Sequence, residues 1–306
     1  MKKSKWFGAV ILFAAAFIWG SSFVAQSIGM EKIEAFTYNA VRTMMGAATL
    51  LPLVTFRDLK TLRGQTKEAR EAYKKTEKRT WLAGAALGVA LCFASNFQQF
   101  AFNYTQPGKI AFITALYMLF VPILGIFLKK KIPPLTWCCV ALGAVGLWFL
   151  SVPAGGFTEV NPGDVLALIC AVFYAVQILM VEKYAAVYDP IKLTFVQFLV
   201  SGGVSGVLTF IFETPNAADI NAAILPLLYS GVLSCGVAFT FQTVGQKYTE
   251  STLASLIMCM ESVFGVLSAM VILKQIPTAR EWIGCGLMLT AIVAAQFADR
   301  LKKIKP

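Results

Sequence analysis

The chain has 306 residues, of which 58% are hydrophobic and 14% charged, and it carries a net charge of +11. A soluble domain carries roughly 25% charged residues, so composition excludes a water-facing globule and points to a polytopic membrane protein. The positive charge is not a nucleic-acid footprint, because the Lys and Arg residues cluster between apolar runs, where the positive-inside rule puts them.

Ten apolar runs follow one another, each near the twenty residues that a spanning helix needs. The first, 6–28, starts behind the basic MKKSK. It is too long for a signal-peptide core and lacks a small-residue cleavage site, so it reads as a retained helix. Gly20, in WGSSF, reads as a hinge within it. The second run, 35–56, carries Asn39 and Arg42 on one face. A polar stretch, RDLKTLRGQTKEAREAYKKTEKR, separates it from the third, 80–103, and reads as a solvated, partly helical loop. The fourth, 108–128, contains Pro122, which removes a backbone hydrogen bond and predicts a kink. Then come 134–152, 163–183, 190–212, 224–246, 252–273 and 279–298. Pro107, Pro134, Pro162 and Pro190 stand at helix starts, where proline is tolerated. GxxxG spacings at Gly84/Gly88 and Gly202/Gly206 predict close helix packing within the chain.

With a cytoplasmic N-terminus, 22 Lys and Arg fall in segments on the inner side and 4 on the outer, with Arg42 inside a helix. That bias predicts that both termini face the cytoplasm, with the chain in the cytoplasmic membrane. The two halves also repeat. FQQFAFNYTQPGKIAFITALYMLF lies over FQTVGQKYTESTLASLIMCMESVF without a gap, pairing Phe97 with Phe241, Gln98 with Gln242 and Tyr104 with Tyr248. Further on, Pro133 pairs with Pro277. The expected fold is all-α, with ten transmembrane helices in two five-helix repeats, 1–152 and 153–306. Five is odd, so the second copy crosses in the opposite sense, a construction used by secondary transporters.

The same stretches resemble a known family. AFIWGSSFVAQ in the first helix, AVRTMMGA in the second and VPILGIFLKKKIP closing the fourth are similar to the drug/metabolite transporter superfamily, in its EamA-type branch. The resemblance covers essentially the whole chain. The ninth helix reads MESVFGVLSAMVILKQIP where family members often have Glu-Pro-Val and a later Gly-Glu pair; Ser262 replaces the proline. The resemblance implies an inner-membrane carrier of small metabolites, often an exporter of amino acids.

Two ionisable residues lie deep in the runs, Arg42 in the second and Glu261 near the middle of the ninth. An intramembrane charge marks function by default, since it must be paired, protonated or wet. Glu261 is therefore read as a substrate or proton site, against a structural hydrogen-bonder. Arg42 attracts a substrate carboxylate or reaches the interface or a neighbouring carbonyl. Uncharged polar residues recur at helical spacing: Trp19, Ser22 and Gln26; Asn96, Gln99 and Asn103; Thr114 and Tyr117; Tyr174 and Gln177; Gln242 and Gln246. Each alone is more simply a tie between helices. Together they describe a polar cavity edged by Trp19, Tyr117 and Tyr174. The expected substrate site is Trp19, Ser22, Asn39, Arg42, Asn96, Gln99, Tyr117, Tyr174, Gln177, Gln242 and Glu261.

The resulting reading is a secondary transporter of small metabolites such as amino acids or amines, working by alternating access and exporting. The alternatives are a membrane-embedded enzyme and a channel or scaffold. The chain has no histidine, no nucleophile–base spacing and no GxxxxGK[ST] phosphate loop, so an enzyme or a direct user of ATP is not expected. The seven cysteines show no metal-ligand spacing, so no metal or cofactor is expected. The expected partners are a small molecule and the bilayer.

Overall fold

The computed structural model describes residues 2–63, 65–152, 155–156, 160–272, 274 and 276–301. Gly64, the start of the second expected repeat at 153 and the basic Lys302, Lys303 and Lys305 lie outside the described residues. Among the described residues every regular element is a helix. In the first half these are α1 (Lys2–Met30), α2 (Ala35–Leu62), α3 (Lys67–Ala101), α4 (Pro107–Ala115), α5 (Tyr117–Phe127) and α6 (Pro134–Ser151). In the second half they are α7 (Pro162–Ala185), α8 (Pro190–Phe212), α9 (Ala217–Ala222) and α10 (Ile224–Leu228). A π-helical stretch, Tyr229–Phe239, then runs into α11 (Thr240–Gln246). The series ends with α12 (Ser251–Met258), α13 (Met260–Ile272) and α14 (Ala279–Leu301).

Eight helices among the described residues are long and apolar enough to cross a membrane. Of the other two expected spans, α2 forms a 28-residue helix diluted by Thr37, Asn39, Arg42 and Thr43, and α14 a 23-residue helix. Large apolar side chains such as Phe17, Trp148 and Phe210 stay exposed, a surface suited to lipid. At 35 residues α3 is about 52 Å long, well beyond the roughly 30 Å hydrocarbon core, so one end stands clear of a bilayer. The polar stretch between the second and third runs is thus largely helical, continuing α2 and α3 into a hairpin.

Helix packing follows a pattern. α6 lies on α14, and α2 on α8. α3 packs on α7 and α8, while the continuous 224–246 helix packs on α1 and α2. α4 and α5 contact α7, and α12 and α13 contact α1. Exchanging each helix for the one five spans along returns the same set of contacts. Gly84 and Gly88 bring α3 against Val196 and Val200 of α8, the close packing their spacing predicts. α1 runs unbroken past Gly20, the expected hinge position. A Cβ there would lie 2.5 Å from the Glu261 carbonyl oxygen and 2.6 Å from Phe264 Cβ, so glycine lets α1 touch the α13 backbone.

The hairpin is clamped to α8. Lys192 Nζ lies 2.6 Å from Asp58 Oδ1 and 2.8 Å from Glu77 Oε2 and is itself buried, while Arg57 pairs with Asp189 at 2.6 Å. On the same end Lys130 pairs with Glu182 and donates to Ser251 Oγ. At the opposite end Glu213, after α8, accepts from Phe36 N and Thr37 N, each at 2.7 Å, and so caps the start of α2.

Candidate functional site

The helical runs 107–127 and 251–272 are each interrupted at mid-length. Leu116 separates α4 from α5, and Cys259 separates α12 from α13; at both the chain tightens, with Leu119 N donating to Leu116 O and Ser262 N to Cys259 O three residues back. In an apolar surround every loosened backbone acceptor needs a donor. The Cys259 thiol supplies one, donating to Ala115 O at 3.3 Å across the two breaks. A polar side chain stands within two residues after each break, Tyr117 after Leu116 and Glu261 after Cys259. Tyr117 OH donates to Glu261 Oε1 at 3.1 Å.

Around this pair is a cavity whose space, measured to the centres of water molecules, is about 50 Å³, room for only a few waters. α1 gives it Trp19, Phe23 and Gln26, and α2 gives Arg42. Gln98, Thr114, Tyr117, Tyr174 and Ile178 line another side, and the remainder is Ser234, Phe239, Gln242, Met258 and Glu261. Arg42 is buried, with Nε donating to Asn39 Oδ1 at 2.8 Å and Nη1 to Gln26 Oε1 at 2.7 Å. It therefore turns into the protein rather than out to an interface. Tyr174 OH donates to Gln98 Oε1 and Gln98 Nε2 to Thr114 Oγ1, both at 3.4 Å. Among the described residues neither Arg42 nor Glu261 is in an ion pair. One cation and one carboxyl group thus share a small, aromatic-walled space.

Six of the eleven expected site residues meet here: Trp19, Arg42, Tyr117, Tyr174, Gln242 and Glu261. The other five stand behind or apart from it. Asn39 donates to Asn96 Oδ1 at 2.8 Å, and Asn96 to Ser205 Oγ at 2.9 Å, so both anchor Arg42 to α3 and α8. Gln177 accepts from Gln242 at 3.0 Å and passes the chain on to Gln197. Ser22 Oγ and the Gln99 amide are buried without a hydrogen-bond partner among the described residues, outside the cavity wall. Reading single faces missed Gln98, Ser234, Phe23 and Phe239. The repeat held a signal for Gln98, since it pairs with Gln242 and both line the cavity. Ser234 and Phe239 sit in the π-helical stretch, whose altered turn changes which side chains share a face.

A family model for EamA-like transporters matches residues 6–152 and 161–295. The chain belongs to the EamA-like transporter family. An uncharacterized transporter of Archaeoglobus fulgidus is 29% identical over 289 residues, covering 91% of this chain and 82% of the relative. The uncharacterized transporter YwfM of Bacillus subtilis is 21% identical over 307 residues, covering 96% and 95%. A solved crystal structure superposes with a TM-score of 0.76 at 21% identity, over 96% of this chain and 98% of that one, a likeness of fold. Family and relatives are transporters, so this chain is a multi-pass membrane protein of transporter type.

Proposed function

We propose that this EamA-family chain is a secondary exporter of small zwitterionic or cationic metabolites, amino acids or amines, and that it works by alternating access. The observation that carries the reading is the pair Arg42 and Glu261, lining one small cavity and in no ion pair among the described residues. A permanent, unused charge in that setting is strongly unfavourable, whereas a substrate that brings the opposite charges removes the penalty each time it binds. Arg42 takes a carboxylate, Glu261 an ammonium group, and Trp19, Phe23, Phe239 and Tyr174 hold an apolar side chain. Because the space holds only a few waters, loading requires the helices to part. Two family matches in tandem and packing that survives exchange of the halves support inverted repeats, 1–152 and 153–306, rocking about this site. The family resemblance supports export as the direction.

The test is a thermal-shift series on purified protein against amino acids, amines and organic acids. A specific ligand at a hundred times its Kd stabilises the folded state by about 2.7 kcal/mol. Amino acids or amines should shift the wild type and lose that shift in Arg42→Gln or Glu261→Gln; a ligand equally effective on both variants overturns the assignment. Orientation is checked with single cysteines at Gly156 and Gln65 in a background lacking the native seven. An impermeant maleimide applied outside should label the first and spare the second.

A further inference from the structure

Glu261 and Phe23 line a second and larger cavity as well as the central one. It opens at the end of the molecule opposite the Lys192 clamp, between the last turns of α1, the start of α4, the end of α6 and the 276–281 link to α14. Its volume is about 560 Å³, within the usual range for small-molecule sites of roughly 300–1,000 Å³. Val24, Ala111, Leu150 and Val266 make its walls apolar. Its ionisable lining among the described residues is acidic only: Glu261 at the base and Glu281 at the rim. Two cations close in sequence to the lining, Lys109 and Arg280, are not part of it. Lys109 pairs with Asp164 at 2.6 Å, and the Arg280 guanidinium lies 5.1 Å from the Phe149 ring centroid. Ser262 Oγ, on the lining and buried, has no hydrogen-bond partner among the described residues.

We propose that this vestibule is a second binding site, selective for amphipathic organic cations, separated from the central cavity by Phe23 and sharing Glu261 with it. The cationic head takes Glu261 and the free Ser262 hydroxyl, and the apolar tail lies against Val24, Ala111 and Val266. It deepens the transport reading by adding an outer station on the same carboxylate, yet its binding is measurable without transport.

The probe is n-hexyltrimethylammonium, with n-hexyl sulfate as the same tail bearing the opposite charge, measured by equilibrium dialysis against the full chain in nanodiscs. The wild type should hold the cation at least about tenfold more tightly than the anion, a difference of roughly 1.4 kcal/mol. Ala111→Trp, or Val24→Trp from the other wall if the first does not fold, should abolish the cation's binding. Ser234→Phe, which fills the central cavity alone, should change it by less than about twofold, under roughly 0.4 kcal/mol. Equal binding of cation and anion means a cleft that takes any amphipath or lipid and overturns the proposal. So does loss of binding in Ser234→Phe with retention in Ala111→Trp. If the vestibule behaves as stated while no amino acid or amine binds the central cavity, the transport reading falls and the vestibule site stands.

Discussion

The two broken spans, α4–α5 and α12–α13, occupy matching positions in the two halves, yet they carry different chemistry. The residues after the breaks, Tyr117 and Glu261, are 144 positions apart, the same offset that pairs Gln98 with Gln242, and they hydrogen-bond to each other. Ala115 and Cys259, also 144 apart, meet as carbonyl and thiol. The scaffold is therefore near-symmetric where the two breaks meet, while the charge sits on one side only. In the first break Pro122 follows six residues after Leu116 and weakens the helix locally. The second has no proline from Ser251 to Ile272. What the two breaks share is a contact to the opposite half, so tertiary packing, more than a local breaker, accounts for the pair.

The largest expected effect comes from erasing the asymmetry. Glu261→Gln keeps shape and hydrogen-bonding capacity but cannot ionise. Without ligand it should insert and melt like the wild type, yet lose both the ligand-induced melting shift and pH-driven accumulation in proteoliposomes. Wild-type pH dependence in that variant would make Glu261 a structural hydrogen-bonder. Next, Tyr117→Phe removes the donor from the symmetric partner. A hydrogen bond to a charged group contributes about 1.5–3 kcal/mol, so substrate affinity should weaken by roughly ten- to hundredfold, read from ligand-induced melting shifts.

A steric change sharpens the comparison, because α1 packs on α13 and hardly on α5. Gly20→Ala places a methyl 2.5 Å from Glu261 O. Overpacking of this kind costs about 1–3 kcal/mol, so the melting temperature should fall by several degrees and Glu261-dependent binding should weaken with it. Retention of both would mean that α1 shifts freely against α13. The smallest effect is expected for Cys259→Ala. It deletes the thiol donated to Ala115 O, a loss of about 0.5–1.5 kcal/mol, seen as a slight drop in melting temperature with unchanged substrate selectivity.

Much of this was legible in the sequence because a bilayer enforces simple rules. Most of the expected runs fall within a few residues of observed helices, but α2 continues to Leu62 rather than 56 and α3 begins at Lys67 rather than 80, because the polar stretch between them is helical as well. Arg42 and Glu261 stood out because charge is rare in such runs, and the structure places both on one cavity wall. Repeat alignment held more than was used: it pairs Gln98 with Gln242 and Tyr117 with Glu261. Helical spacing alone could not say which member of a polar face reaches the cavity. Asn39 and Asn96 share faces with site residues but turn to each other and hold Arg42 from behind. The π-helical stretch that aims Ser234 and Phe239 inward has no composition of its own. Lys192 reads as one more cytoplasmic cation, and only the hairpin of α2 and α3 brings Asp58 and Glu77 around it. Local hydrophobicity and charge decided the helices and their class, because each residue meets lipid or water on its own account. Partners between helices far apart in the chain were decided by packing, because side-chain direction at a contact depends on both helices at once.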